Sequence, residues 1–179
     1  MGERVKYIKF MFLFSCLIQG ALVSGDTINT DALGIKSDIL KIEYVDNLSL
    51  EGKAAFRKNK VLLLYVSRPN CPYCEKLKVD VLIPLVRGKR FDDKIVIREI
   101  SLDDNAIIGF DGKQGTANEI LVSYDIVGTP TLLFLNRKGD ELTEKLSGYF
   151  SKDFYWAYFE KAVRLAVSKL KDTDQKPLR

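Results

Sequence analysis

Cys71-Pro72-Tyr73-Cys74 constrains this chain more than any other stretch. It follows an apolar run, Val61-Leu62-Leu63-Leu64-Tyr65-Val66-Ser67, that reads as a buried strand. It opens a stretch in which Cys74, Leu77, Val81 and Leu85 fall near one helical face. A Cys-x-x-Cys pair at a strand–helix junction has the geometry that disulfide exchange needs. The first cysteine sits where a helix starts, so unpaired backbone N–H groups and the positive end of the dipole favour a thiolate. The second lies one turn later and can close on the first. Pro72 suits the first turn, because its missing N–H would have no partner there anyway. The competing reading of such a pair is half of a structural zinc site, which wants four ligands, usually Cys or His. The 179-residue chain has no histidine and only one other cysteine, Cys16. One chain therefore cannot complete a Cys/His zinc site, and we expect no metal site here.

Cys16 lies in a targeting segment. Arg4, Lys6 and Lys9 form a positive start, Phe10 to Val23 is mostly apolar, and Val23-Ser24-Gly25 offers small residues before a cut ahead of Asp26. Residues 1–25 thus read as a secretory signal peptide. The apolar run is shorter than the ~20 residues a bilayer-spanning helix needs. Lipidation after a cut before Cys16 is the lesser alternative, since Phe14 is bulky for that role. Either way the expected location is periplasmic or secreted. The mature chain would then hold two cysteines, Cys71 and Cys74, which are either active or paired with each other.

With 46% hydrophobic and 29% charged residues, the rest is an ordinary globular mix sized for one good core. The leader supplies +2 of the net charge of +4, and what remains is too mild to argue for nucleic acid or a membrane surface. Residues 26–38 read as a linker or N-terminal arm, 39–171 as the domain, and 172–179 as a flexible tail. Within the domain, Ile39 to Val45 alternates like an edge strand, and Asn47 or Ser49 can cap a short helix to Lys58. Pro84 predicts a kink or break near Asp80–Pro84 in the helix after the cysteines. Ile95 to Ile100 reads as a strand. Asn105 to Gly115 reads as an inserted loop with room for a small hairpin. Thr116 and Glu119 form a capping-box pattern for a helix to about Tyr124. A strand led by Thr129-Pro130 follows, then a turn at Asn136–Asp140 and a returning strand from Glu141 to Leu146. The last helix begins after Ser151, with Phe154, Tyr158, Phe159, Ala162, Val163 and Ala166 on its core side. Strands joined by helices are expected to run parallel and the hairpin antiparallel. The fold class is α/β, a mixed central sheet flanked by helices on both faces.

Three landmarks in this order, Cys71-Pro72-Tyr73-Cys74, Gly128-Thr129-Pro130-Thr131 and Gly148, resemble the thioredoxin superfamily, with the likeness spanning about Leu48 to Leu170. The signal and the inserted loop with Phe110-Asp111-Gly112 look most like secreted bacterial thioredoxin-like proteins found with sulfur-oxidation and cytochrome-maturation systems. The Pro72-Tyr73 dipeptide is typical of glutaredoxins, but the surrounding spacing is not. The resemblance implies a thioredoxin-like fold, Cys71 as attacking thiol, Cys74 as resolving thiol, and Pro130 as a cis-proline facing the pair. It implies a substrate-binding surface of Thr129, Pro130, Pro72 and Tyr73, with the backbone at Thr129 pairing with an extended substrate. Many relatives carry a buried acid six residues before the first cysteine. Here that position is Tyr65, which leaves Glu99 or Glu75 as stand-ins, each reading first as a surface carboxylate. Arg68 reads equally as a positive field near Cys71 and as a solvated loop residue.

The function expected is thiol–disulfide exchange, most readily as a reductase. The partners are protein disulfides or dithiols and a membrane electron donor. No cofactor beyond the Cys71–Cys74 couple, no nucleic acid and a monomer are expected. The alternatives are a copper-binding metallochaperone, held by soft thiolates, and a redox-regulated interaction module without turnover. The absence of His, and of Met outside the leader (Met1 and Met11), weighs against copper.

Overall fold

The computed structural model describes residues 42–174. The expected leader, the arm at 26–38, the first part of the expected edge strand (39–41) and the end of the tail (175–179) lie outside the described residues. The elements in order are α1 (Leu48–Arg57), β1 (Val61–Ser67), α2 (Pro72–Leu77), a π-helical turn (Lys78–Leu82), α3 (Ile83–Arg87), β2 (Ile95–Ser101), β3 (Ile107–Ile108), β4 (Gln114–Gly115), α4 (Ala117–Leu121), a 3₁₀ turn (Val122–Tyr124), β5 (Thr131–Leu135), β6 (Leu146–Ser147) and α5 (Lys152–Asp174). Among the described residues no helix is long and apolar enough to cross a membrane.

A four-stranded sheet, in the order β2-β1-β5-β6, sits at the centre. β1 is buried along its whole length, as a strand covered on both faces must be. Its side chains alternate between two cores. Val61, Leu63 and Tyr65 pack with Leu132, Phe134, Cys74, Leu77, Leu85 and the α5 residues Phe159 and Val163. Leu62, Leu64 and Val66 pack on the other face with Leu133, Leu135, the α1 residues Leu48 and Ala55, and Leu121 of α4. Helices therefore cover both faces of a mixed sheet.

Local signals explain most boundaries. Asn47 accepts the Leu50 N–H at 2.9 Å and starts α1. Thr116 and Glu119 make both bonds of a capping box at α4. The inserted loop folds as the two-stranded β3–β4 hairpin.

Five expectations need correction. Residues 43–45 lie along the outer edge of β2, where Val45 N–H donates to Glu99 O, but they make a single parallel bridge, Tyr44 with Glu99, and no strand. The α-helix after the cysteines is interrupted where expected, by the π-helical turn at Lys78–Leu82, but the chain stays helical through Pro84 instead of breaking there. Ile83 N–H bonds Lys78 O five residues back, and this wider turn places Pro84 in the first turn of α3, where no N–H is required. β5 runs antiparallel to β1 and so also to β2, although α4 joins β2 to β5. The connection leaves beside Ser67, where Leu102 N–H donates to Ser67 O, and re-enters at Thr131, opposite Val66, at the same end of the sheet. A helix that short, preceded by a hairpin, does not carry the chain across. The return after the turn is broken too. Glu141 bridges Leu135, but Leu146 pairs with Leu132, so five steps on the return answer three on β5 and the intervening residues bulge. In α5, Phe154 and Tyr158 are exposed, and the buried stripe is Tyr155, Phe159, Ala162, Val163, Ala166 and Leu170. Phe154 and Tyr158 stand one residue, about 100° of helix, off that stripe.

Candidate active site

The cysteines lie where β1 ends and α2 begins. Cys71 is the N-cap of α2, in extended conformation, and its Sγ accepts the Cys74 N–H at 3.2 Å. The two sulfurs form a disulfide with Cα atoms 5.2 Å apart. Cys71 is half-buried, whereas Cys74 is 1% exposed. Cys71 is open to a partner and Cys74 is not. Pro72 fills the first helical position as expected, and Tyr73 projects outward, 60% exposed.

The other two landmarks converge on this pair. The Thr129–Pro130 peptide bond is cis. Thr129 Oγ1 lies 3.6 Å from Cys71 Sγ, and the Thr129 carbonyl oxygen lies 3.8 Å from the same sulfur. Thr131 Oγ1 donates to Gly128 O at 2.7 Å and fixes the turn before β5. Gly148 N–H donates to Pro130 O at 2.8 Å, which brings the third landmark alongside, with Gly148 at a φ of 77°. A large exposed apolar side chain stands in or within two residues of each landmark: Tyr73, Val127 at 89% and Phe150 at 91%. A groove of about 610 Å³ runs from Thr129 past Val127 and Ile126 to Leu102 and Arg68. A larger depression, about 1150 Å³, lies at the other end of the sheet around Phe110 and Gly139 and includes neither cysteine.

A family model described as a thioredoxin-like domain matches residues 49–163. The chain belongs to the thioredoxin-like family. Among solved structures, it is similar to DsbH oxidoreductase at 16% identity, covering 73% of this chain and 90% of that one with a TM-score of 0.49. It is similar to a poplar wild-type thioredoxin h at 17% identity, covering 65% and 95% with a TM-score of 0.45. A third, the periplasmic thioredoxin SoxS from Paracoccus pantotrophus in its reduced form, shows 17% identity over 60% and 99%, with a TM-score of 0.43. No curated protein matches the sequence. A thioredoxin-like domain with this cysteine pair at the head of a helix is a thiol–disulfide oxidoreductase.

Beneath the pair lies a polar cluster whose carboxylate, Glu99, reads from the sequence as a surface residue. Tyr65 stands where many relatives carry an acid, and its hydroxyl donates to Cys74 O at 3.0 Å. Glu99 is not a surface carboxylate: it is 2% exposed, accepts from Ser67 Oγ at 2.9 Å and pairs with Lys78 Nζ at 3.0 Å. Glu75 is the exposed one, 3.6 Å from the same ammonium. Burial alone would push the Lys78 ammonium down, but the hydrogen bond and charge of Glu99 outweigh it, and its pKa rises. Burial, then the Glu99 charge, push the Tyr65 hydroxyl far up. A signal for this cluster is present in the sequence. Arg98 and Glu99 are adjacent charges inside the apolar run Ile95 to Ile100, and a strand covered on both faces must send them into opposite helix-covered layers. Arg98 accordingly pairs on the far face with Glu51 at 2.8 Å and Glu43 at 3.0 Å. Arg68 reaches Asp103 at 3.9 Å as an exposed pair, which is the solvated reading.

Proposed function

We propose that this chain reduces disulfides of proteins outside the cytoplasm, cycling Cys71 and Cys74 between dithiol and disulfide with no further cofactor. The Cys71 thiolate attacks one sulfur of a substrate disulfide. A Cys71–substrate mixed disulfide forms and the other substrate sulfur leaves as a thiolate. Cys74 then attacks Cys71 Sγ, the mixed disulfide breaks, and reduced substrate departs while Cys71 and Cys74 close on each other. A membrane-bound dithiol donor returns the two electrons by the same exchange in reverse.

The observation that carries this reading is the setting of Cys71 Sγ. It accepts the Cys74 N–H and faces the Thr129 hydroxyl, two donors that favour a thiolate, while Cys74 is buried behind it. Thr129, Pro130, Pro72 and Tyr73 form the substrate surface. An extended segment joins the Thr129 backbone as an added strand, with its side chains against the exposed Tyr73, Val127 and Phe150. The reductase direction rests on the breadth of the thioredoxin-like match, residues 49–163. The location rests on the basic start and apolar run of residues 1–25. The protein acts as a monomer and needs no nucleic acid.

Equilibration of the mature protein in glutathione or dithiothreitol buffers tests this. A reduction potential near about −270 mV supports the reductase; one near about −120 mV makes the protein a disulfide donor and overturns the direction. A pair that never equilibrates overturns exchange altogether.

A further inference from the structure

We propose that the depression at the end of the sheet opposite Cys71 is a docking site for an acidic segment of a partner protein, gripped by Lys53, Arg137 and Lys138. The site takes no part in the exchange chemistry and does not depend on it.

The three cations are far apart in sequence and are brought together by the fold. Lys53 stands on α1, and Arg137 and Lys138 stand on the turn between β5 and β6; all three are exposed and line the same depression of about 1150 Å³. Gly52 lets α1 close on that turn, since a Cβ there would come within 2.7 Å of Arg137 O. Asn136, 8% exposed, fixes the turn itself: its Oδ1 accepts the N–H groups of Lys138 at 2.8 Å and Asp140 at 3.0 Å. The Arg137 guanidinium lies over the Phe56 ring, 4.5 Å from its centre, which orients its plane and leaves its edge free. The cations are therefore presented on fixed backbone, and little ordering is needed to bind.

Like charges held side by side repel. Among the described residues, none of the three pairs with a carboxylate. The acids lining the depression are engaged elsewhere. Asp111 accepts the Lys113 N–H at 3.0 Å and lies 3.6 Å from Lys113 Nζ. Glu119 accepts the Thr116 N–H at 2.8 Å, Asp140 accepts from Asn136 Nδ2 at 2.9 Å, and Glu141 lies 4.0 Å from Lys145 Nζ. The positive field over Lys53, Arg137 and Lys138 thus lacks a counter-charge from within the fold.

The shape and the interspersed acids select the ligand. The volume exceeds the ~300–1,000 Å³ of small-molecule pockets, which are also mostly apolar. Nucleic acid or an anionic bilayer presents unbroken phosphates, which Asp111, Glu119, Asp140 and Glu141 on the same rim would repel. A peptide with spaced carboxylates can set each on a cation and pass between the acids. Ser49, Ser123 and Gln114 offer hydrogen bonds to its main chain. A partner held here leaves Cys71 and Thr129 uncovered, because neither borders the depression.

The experiment follows the anisotropy of a fluorescently labelled peptide of alternating glutamate and serine as the protein is added, with amide NMR shifts locating the contact. Binding should weaken as salt rises. Lys53→Glu and Lys138→Glu, both at exposed positions, should each weaken it by roughly threefold to tenfold, since each loses an attraction and gains a repulsion. Arg137→Gln should weaken it in the same direction and supplies the test if either reversal fails to fold. The shifts should fall in residues 109–115 and 136–141. No binding by the parent protein, binding that all three substitutions leave unchanged, or shifts confined to Tyr73 and Thr129 would overturn the proposal. Tighter binding of a single-stranded oligonucleotide or of phosphatidylglycerol vesicles, lost on the same substitutions, would overturn the assignment to an acidic peptide.

Discussion

The two ends of the sheet are built on opposite plans. At the end where β1 and β2 stop, the chain shows its backbone: Cys71 is half-buried, Thr129 faces it, Val127 and Phe150 stand in solvent, and the Arg68–Asp103 ion pair is exposed. At the opposite end, Phe110 of the β3–β4 turn lies against Gly139 of the β5–β6 turn and Gly52 of α1. A Cβ on Gly139 would come within 2.5 Å of the Phe110 ring, and one on Gly52 within 2.7 Å of Arg137 O. Tyr124 donates to Gly139 O at 2.6 Å, and its own pKa is pushed up to about 12 by burial and then by Glu141 and Asp140. Close packing at one end anchors an insertion that could otherwise float. Sparse packing at the other leaves main chain free to meet a partner. Stability and chemistry are thereby separated, and substitutions at the two ends should separate as well.

The largest effect belongs to the open end. Cys71→Ser should reduce turnover of a model protein disulfide to background, because the sulfur proposed to attack is gone. Under reducing conditions its Tm should match that of the parent. A variant that keeps appreciable turnover would end the distinction between the two ends.

The converse is Gly139→Val. Gly139 has a φ of 90° and no room for a Cβ, so the substitution should cost about 3–5 kcal/mol, a fall of roughly 10 °C or more in Tm. The exchange rate per folded molecule should be unchanged. A lowered rate with unchanged Tm would reverse the account.

Thr116→Ala tests the connection between the ends at smaller scale. Loss of the capping box should cost about 1 kcal/mol, measurable as a shift in the urea midpoint.

The smallest effect concerns acid. Asp80 is held below its ordinary value of 3.8, chiefly by the hydrogen bond from Tyr149 and then by Lys76. A depressed carboxylate stabilises the fold fully above its unfolded pKa and loses that contribution as pH falls through the lowered folded value. Tyr149→Phe should therefore flatten the decline in urea midpoint below about pH 4. Parallel curves for the two proteins would show that the hydrogen bond contributes nothing to acid stability.

The sequence exposes the open end better than the anchored end, and for a physical reason. Strand-to-helix junctions, caps and X-Pro steps are local, so Val61–Ser67, the Cys71 N-cap, Asn47 and the Thr116/Glu119 box can be read residue by residue. Features that depend on which elements meet are less legible. Pro84 reads as a breaker until the π turn before it is seen to supply the slack. Phe154 and Tyr158 read as core until the neighbours of α5 select the stripe beginning at Tyr155. Glu99 reads as surface because a charge usually is, and only pairing with a strand buried on both faces puts it beneath Cys74. Nothing in Phe110, Gly52 or Gly139 taken singly predicts that the three converge, since they come from separate segments of the chain.

The central claim is attack by Cys71 with resolution by Cys74, and trapping tests it most directly. Reduced Cys74→Ser protein, mixed with extracytoplasmic proteins bearing disulfides, should accumulate reductant-sensitive adducts joined through Cys71, and the Cys71→Ser protein should form none. Adducts that persist in the Cys71→Ser protein, or none in the Cys74→Ser protein, would contradict the mechanism.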